Sequence, residues 1–168
     1  MRPYVRIAEA DKRKEYERAE WQSNYEHEPR PQTEKFAEGL TLPANTADTT
    51  ALQHIPGIGS YYARKIVDYR ERLGGFVSTS QIGEIEDLPA GITRWFVLDK
   101  ADKPRQLRIN HATFKQLVRH PYLSYEQTKI IVTHIRQYGA IRSWRDLQLY
   151  KEFTQNDFKR LAPYISFK

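Results

Sequence analysis

Shifted against itself by 65 positions, the sequence superimposes two of its own stretches without a gap. The first opens at Asn45 and reads Asn-Thr-Ala-Asp-Thr-Thr-Ala-Leu-Gln-His-Ile-Pro to Pro56. The second opens at Asn110 and reads Asn-His-Ala-Thr-Phe-Lys-Gln-Leu-Val-Arg-His-Pro to Pro121. Asn45 falls on Asn110, Ala47 on Ala112, Leu52 on Leu117 and Pro56 on Pro121. Further on, Ile66-Val67 falls on Ile131-Val132, Gly74 on Gly139 and Ser78 on Ser143. Such a repeat means that one supersecondary unit occurs twice, and any fold for this chain has to be built from two copies of it.

Each copy reads as a series of short helices. Asp48 and Thr113 are equivalent N-caps ahead of Leu52 and Leu117, and Pro56 and Pro121 stop those first helices. A longer helix follows from about Ser60 to Leu73, with Ala63, Ile66, Val67 and Leu73 on one face. Its counterpart runs from about Ser124 to Tyr138, with Thr128, Ile131, Val132, Ile135 and Tyr138 on that face. The i, i+3, i+4 spacing is that of an amphipathic helix laid on a core. Gly74-Gly75 and Gly139 act as C-terminal stops. Ser78 and Ser143 cap third helices carrying Ile82, Ile85, Leu147 and Leu149. A fourth helix is expected around Trp95, Phe96 and Leu98, and its counterpart from Thr154 with Phe158 and Leu161. No alternating strand pattern stands out, so the expected fold is all-α: two tandem units of short helices, 36–103 and 104–168. A polar N-terminal extension, 1–35, precedes them and reads as a charged helix followed by an extended, partly disordered linker.

Charge is distributed unevenly between these parts. Residues 1–44 hold 8 Lys/Arg against 9 Asp/Glu, and residues 45–103 hold 7 against 8. Residues 104–168 hold 12 against 4, so the formal net charge of +6 originates in the second copy. A basic surface of that kind suits a polyanion such as nucleic acid, or an anionic lipid surface. No apolar run approaches the roughly 20 residues of a membrane span, so membrane insertion is not expected. The first 18 residues alternate charges and do not read as a secretory signal. Cysteine is absent, which excludes disulfides, cysteine nucleophiles and thiolate metal sites.

The sharpest local signal is Ile55-Pro-Gly-Ile-Gly-Ser60, between two helices. Gly57 and Gly59 permit backbone angles and close approach that a side chain forbids. Ile58 between them can plug into the core. The amides of Ile58, Gly59 and Ser60 would then face outward at a helix N-terminus, where free N–H groups and the helix dipole form an anion site. Arg64 and Lys65, one turn on, could reach a neighbouring phosphate.

These residues, with Asn45-Thr-Ala47, Leu52, Ala63, Ile66-Val67, Tyr69-Arg70 and Gly74-Gly-Phe76, resemble the ComEA-type helix-hairpin-helix family associated with DNA uptake in bacterial competence. The second copy, from His120-Pro-Tyr-Leu-Ser124 through Leu161-Ala-Pro-Tyr164, resembles a degenerate repeat of related tandem proteins. The resemblance spans about Phe36 to Phe167. It implies paired hairpins in each unit and duplex DNA held non-specifically by its backbone, with phosphate-binding amides on Gly57, Ile58 and Gly59. It places a paired hairpin at Leu88-Pro-Ala-Gly-Ile92, where one glycine stands instead of two. In the second copy Tyr122 and Ser124 replace Gly57 and Gly59, and a tyrosine resists a left-handed backbone. A division of labour is therefore expected. The first copy would supply an amide clamp, and the second a diffuse cationic surface from Arg119, Lys129, Arg136, Arg142 and Arg145.

No catalytic chemistry emerges. His27, His54, His111, His120 and His134 lack a metal-ligand spacing, and no phosphate loop, nucleophile elbow or dinucleotide fingerprint occurs. No Asp falls near Gly75 to Ser80, where a glycosylase of this architecture needs one. His54 and His120 end helices, where an imidazolium would suit the dipole. Tyr61 and Tyr62 are expected to pack rather than to stack on bases. The expectation is a non-enzymatic DNA-binding protein without cofactor or metal. The alternatives are a protein-interaction scaffold on the same fold, and attachment to anionic lipid. Cellular location stays open.

Overall fold

The computed structural model describes residues 34–99 and 101–168, and Glu34–Lys168 forms one unit. The expected helix and linker over residues 1–35 lie outside the described residues except for Glu34 and Lys35.

The first copy runs β1 (Leu42–Pro43), α1 (Thr49–Gln53), α2 (Ser60–Leu73), two 3-10 helices (Thr79–Glu84 and Ile92–Trp95) and β2 (Phe96–Val97). The second runs β3 (Leu107–Arg108), α3 (Phe114–Arg119), α4 (Tyr125–Tyr138), α5 (Trp144–Leu147), α6 (Gln155–Leu161) and β4 (Ile165–Ser166). The long helices span the expected residues, and the chain is predominantly helical in two tandem units.

Beside the helices lie four two-residue strands that the sequence reading did not include. They pair in parallel, Leu42 with Phe96 and Leu107 with Ile165, so that each copy is closed by its own entry and exit. Strands this short bury too little to leave a period-2 pattern in the sequence. Phe96 and Leu98 consequently lie in or after β2, and the last helix of the first copy stops at Trp95. The offset between copies grows from 65 at Ser78/Ser143 to 69 at Phe96/Ile165, because the second copy ends in an α-helix where the first has a single 3-10 turn.

The repeated asparagine explains the shared frame. Asn45 Nδ2 donates to Phe76 O (3.0 Å) and its Oδ1 accepts from Phe76 N (2.7 Å). Asn110 makes the same pair of bonds to Ile141, at 2.9 and 2.8 Å. One side-chain amide thus satisfies both backbone groups of the residue that enters the core after each long helix.

One contiguous core joins the copies, with Leu52, Ile55, Ile58, Ile66, Leu73 and Ile82 from the first and Leu117, Ile131, Ile141, Leu147 and Tyr164 from the second. Two expected core residues lie outside it. Tyr138 is 73% exposed at the C-terminal end of α4, where with His134 it lines an open cleft, and Leu149 is 82% exposed beyond the end of α5.

His120 is buried and neutral rather than an imidazolium at a helix end. Burial lowers its pKa to about 4, opposed only by the nearby Leu73 carbonyl. The folded state therefore refuses a proton that the unfolded chain accepts below about pH 6.5. The stability this contributes is complete above that value and lost as pH falls towards 4. Between about pH 7.5 and about pH 5, urea midpoints should fall by the equivalent of about 2 kcal/mol. In His120→Asn, whose carbonyl can still accept from Tyr122 N, this part of the pH dependence should vanish.

Candidate nucleic-acid interface

The first hairpin links α1 to α2. Ile55 and Ile58 are anchored in the core at 0% and 1% exposure, while Pro56, Gly57, Gly59 and Ser60 face solvent. Gly57 has φ +83°, the left-handed region that favours glycine. Gly59, the N-cap of α2, does not need to be glycine for the fold. Its φ is −102°, and a Cβ built there meets nothing within 4 Å. It also leaves α2 uncapped, since no side chain accepts from the first turn. Among the described residues, the amides of Gly57, Gly59, Ser60, Tyr61 and Tyr62 have no hydrogen-bond acceptor. Ile58 is a correction: its amide donates to Ile55 O at 3.0 Å and is not available to a ligand.

The paired hairpin, Leu88 to Ile92, lies alongside, with the Pro89 ring 3.4 Å from the position of a Cβ on Gly57. Gly91 is left-handed (φ +74°) and is the second N-cap without a side-chain bond. Lys65, expected to reach a phosphate, instead ties this loop to α2. It donates to Glu86 O (2.6 Å) and Asp87 Oδ2 (3.0 Å), and the bond to Asp87 raises its pKa. Arg64 is exposed, with no ion pair among the described residues. Tyr61, expected to pack, is 65% exposed beside Ser60, whereas Tyr62 packs against the core.

In the second copy the equivalent hairpin is closed. Tyr122 N donates to His120 Nδ1 (3.2 Å), Leu123 N to His120 O (3.0 Å) and Ser124 N to Gln127 Oε1 (2.9 Å). Ser124 Oγ in turn accepts from Gln127 N (3.1 Å), completing a capping box. Tyr122 avoids a positive φ altogether and turns its ring inward, 9% exposed. There its hydroxyl accepts from Gln81 Nε2 (2.7 Å), and the Arg160 guanidinium lies 3.9 Å from its ring centre. Arg160 also pairs with Glu84 at 2.7 Å. The hairpin that could have held a phosphate has become the seam between the copies.

A family model described as the helix-hairpin-helix motif matches residues 41–92 and again 103–166. The chain belongs to the helix-hairpin-helix family. No curated protein and no solved structure gives a match. The helix-hairpin-helix motif is generally associated with non-specific DNA binding.

Of the basic residues expected to act in the second helix-hairpin-helix unit, Lys129, Arg136, Arg142 and Arg145 are exposed and without an ion pair among the described residues. Arg119 differs: it lies 3.8 Å from Asp68 of the first unit. One cation escaped the sequence reading. Lys35 Nζ donates to Gln53 O (2.6 Å) and Ile58 O (3.1 Å), bracing the first hairpin from outside the repeat, where no periodicity could flag it. Among the described residues no three His, Asp or Glu side chains converge as metal ligands, and no helix is long and apolar enough to cross a membrane.

Proposed function

We propose that this helix-hairpin-helix protein binds duplex DNA without sequence preference and without catalysis. The amides of Gly57, Gly59 and Ser60 hold a backbone phosphate, Arg64 supports a neighbouring one, and the exposed arginines and lysine of the second unit add a diffuse cationic surface. The contrast between the two hairpins carries the reading. The closed one caps itself with Ser124 and Gln127, while the open one keeps a glycine that the fold does not require and leaves its helix N-terminus bare. Bare amides at the positive end of a 14-residue helix favour an anion. The biological setting we propose is one that handles DNA irrespective of sequence: uptake, to which the ComEA-type resemblance points, or repair or recombination.

Titrating two unrelated duplexes across salt tests this. Both should bind alike, with Kd of roughly 10⁻⁴ to 10⁻⁶ M at physiological salt and a linear loss of log affinity with log salt. Reversing Arg136, Arg142 and Arg145 to glutamate should flatten that slope. Absence of binding at low salt would favour the second reading, a scaffold on the same fold, whose support is the conversion of the second hairpin into a packing seam between the copies.

A further inference from the structure

The seam between the copies follows a rule that the chain applies only once. In the first copy, Tyr69, Leu73, Gln81 and Glu84 form the face on which the second copy sits, and the Tyr122 ring is inserted against it. The 65-residue shift carries these four onto His134, Tyr138, Asp146 and Leu149. The correspondence is structural as well as sequential. Gln81 Oε1 accepts from Val77 N and Ser78 N, and Asp146 Oδ2 accepts from Arg142 N and Ser143 N. Ile85 N donates to Ile82 O as Tyr150 N donates to Leu147 O. On the second copy this face borders an open cleft of about 760 Å³, lined by His134, Tyr138, Arg142, Asp146, Leu149 and Tyr150. Leu73 is 1% exposed at the seam, and its counterpart Tyr138 is 73% exposed. Leu149, where the first copy has Glu84, is 82% exposed. Stacked repeats bury such a face against the neighbouring unit; on the second copy Tyr138 and Leu149 stand exposed on it beside His134, Arg142 and Asp146.

We propose that this cleft is a docking site for a further helix-hairpin-helix unit on a partner protein, whose hairpin inserts an aromatic ring as Tyr122 does at the internal seam. The occupant is specified by the equivalence of this face to the one at the seam. A second copy of this chain meets the specification poorly, because its free hairpin carries Gly57 at the ring position and its Tyr122 is already engaged. The partner needs no cation in the place of Arg160, since Leu149 offers no carboxylate where Glu84 does. Apolar contact with Leu149 and Tyr138 replaces that ion pair, and the ring meets Tyr150 and His134, which are joined by a 3.0 Å hydrogen bond. Docking at this cleft does not require the first hairpin to bind DNA.

The chain has no cysteine, so Leu149→Cys creates a single thiol whose alkylation rate reports exposure of the cleft. The probe is the full chain carrying this variant and followed by a second copy of residues 98–168 as a third unit. Docking should slow alkylation at least about tenfold relative to the two-unit chain. Replacing the added unit's counterpart of Tyr122 by alanine should restore the fast rate. Fast alkylation in a three-unit chain whose far-ultraviolet dichroism shows the added helices would overturn the proposal. A second measurement does not depend on that unit folding: p-cresol, the tyrosine side-chain analogue, added to the unaltered chain should shift the ring resonances of His134, Tyr138 and Tyr150. Unmoved resonances at millimolar p-cresol would count against the site, and shifts of the His134 and Tyr150 rings that disappear when Tyr138 and Leu149 are both replaced by serine would support it.

Discussion

Gly59→Asp should lower affinity for duplex DNA by at least about tenfold while leaving the protein as stable as before, or slightly more so. The two effects have separate causes. Gly59 is extended, with room for a Cβ, so a side chain there strains nothing. Aspartate at this position would cap α2 as Asp48 caps α1, where the carboxylate accepts from Ala51 N at 2.7 Å. Exchanging an N-cap glycine for aspartate is worth a few tenths of a kcal/mol. The same carboxylate would occupy the amides a phosphate needs and place a negative charge at its docking point. A tenfold loss corresponds to about 1.4 kcal/mol, a modest demand for removing one phosphate contact and adding one repulsion. Fluorescence anisotropy with a labelled duplex, beside a thermal melt, reads both effects. Unchanged affinity in a fully folded Gly59→Asp protein would mean that these amides do not hold DNA.

Gln81→Ala should destabilise the protein by about 3 to 5 kcal/mol, a large share of the roughly 5 to 15 kcal/mol that holds a domain folded. Gln81 is 6% exposed and satisfies groups from both copies. Its Oε1 accepts from Val77 N (2.8 Å) and Ser78 N (3.1 Å). Its Nε2 lies 2.7 Å from the Tyr122 hydroxyl and 2.8 Å from that of Tyr164. Burial pushes the Tyr164 hydroxyl up to about 12, so it stays protonated and neutral across the working range of pH. Alanine would leave two buried phenols without their shared partner and strip the capping box from the helix at Thr79, besides opening a cavity. Urea unfolding should show a lower midpoint at an unchanged m-value. A loss below about 1 kcal/mol would mean that water replaces the amide and that the seam is held by packing alone. Tyr122→Phe removes only one of these bonds and should cost much less.

These two residues mark the division between what could be read in advance and what could not. The hairpin around Gly59 was legible because its determinants are local: a proline stop, two glycines and an amphipathic helix starting on time. Closure of the second hairpin was half legible. Ser124 and Gln127 stand at capping-box spacing, a local signal that accompanies the steric one at Tyr122. On sterics alone Tyr122 is an obstacle to the hairpin, whereas in the structure its ring joins the copies.

The repeat is visible in the chain's match to itself at a 65-residue shift, and the boundaries of the long helices, the helical class and the location of an anion-compatible bend follow from residues within a few positions of one another, where backbone preference and hydrophobic period act directly. The destinations of Tyr122, His120 and Lys65 do not. Each depends on a partner that the fold brings from far along the chain or from another loop: Gln81 against Tyr122, the Tyr164 ring and the Leu73 backbone against His120, Asp87 against Lys65. Hydrogen-bond satisfaction and burial are properties of the assembled environment, so only the tertiary structure could decide which hairpin remained open and which became the seam.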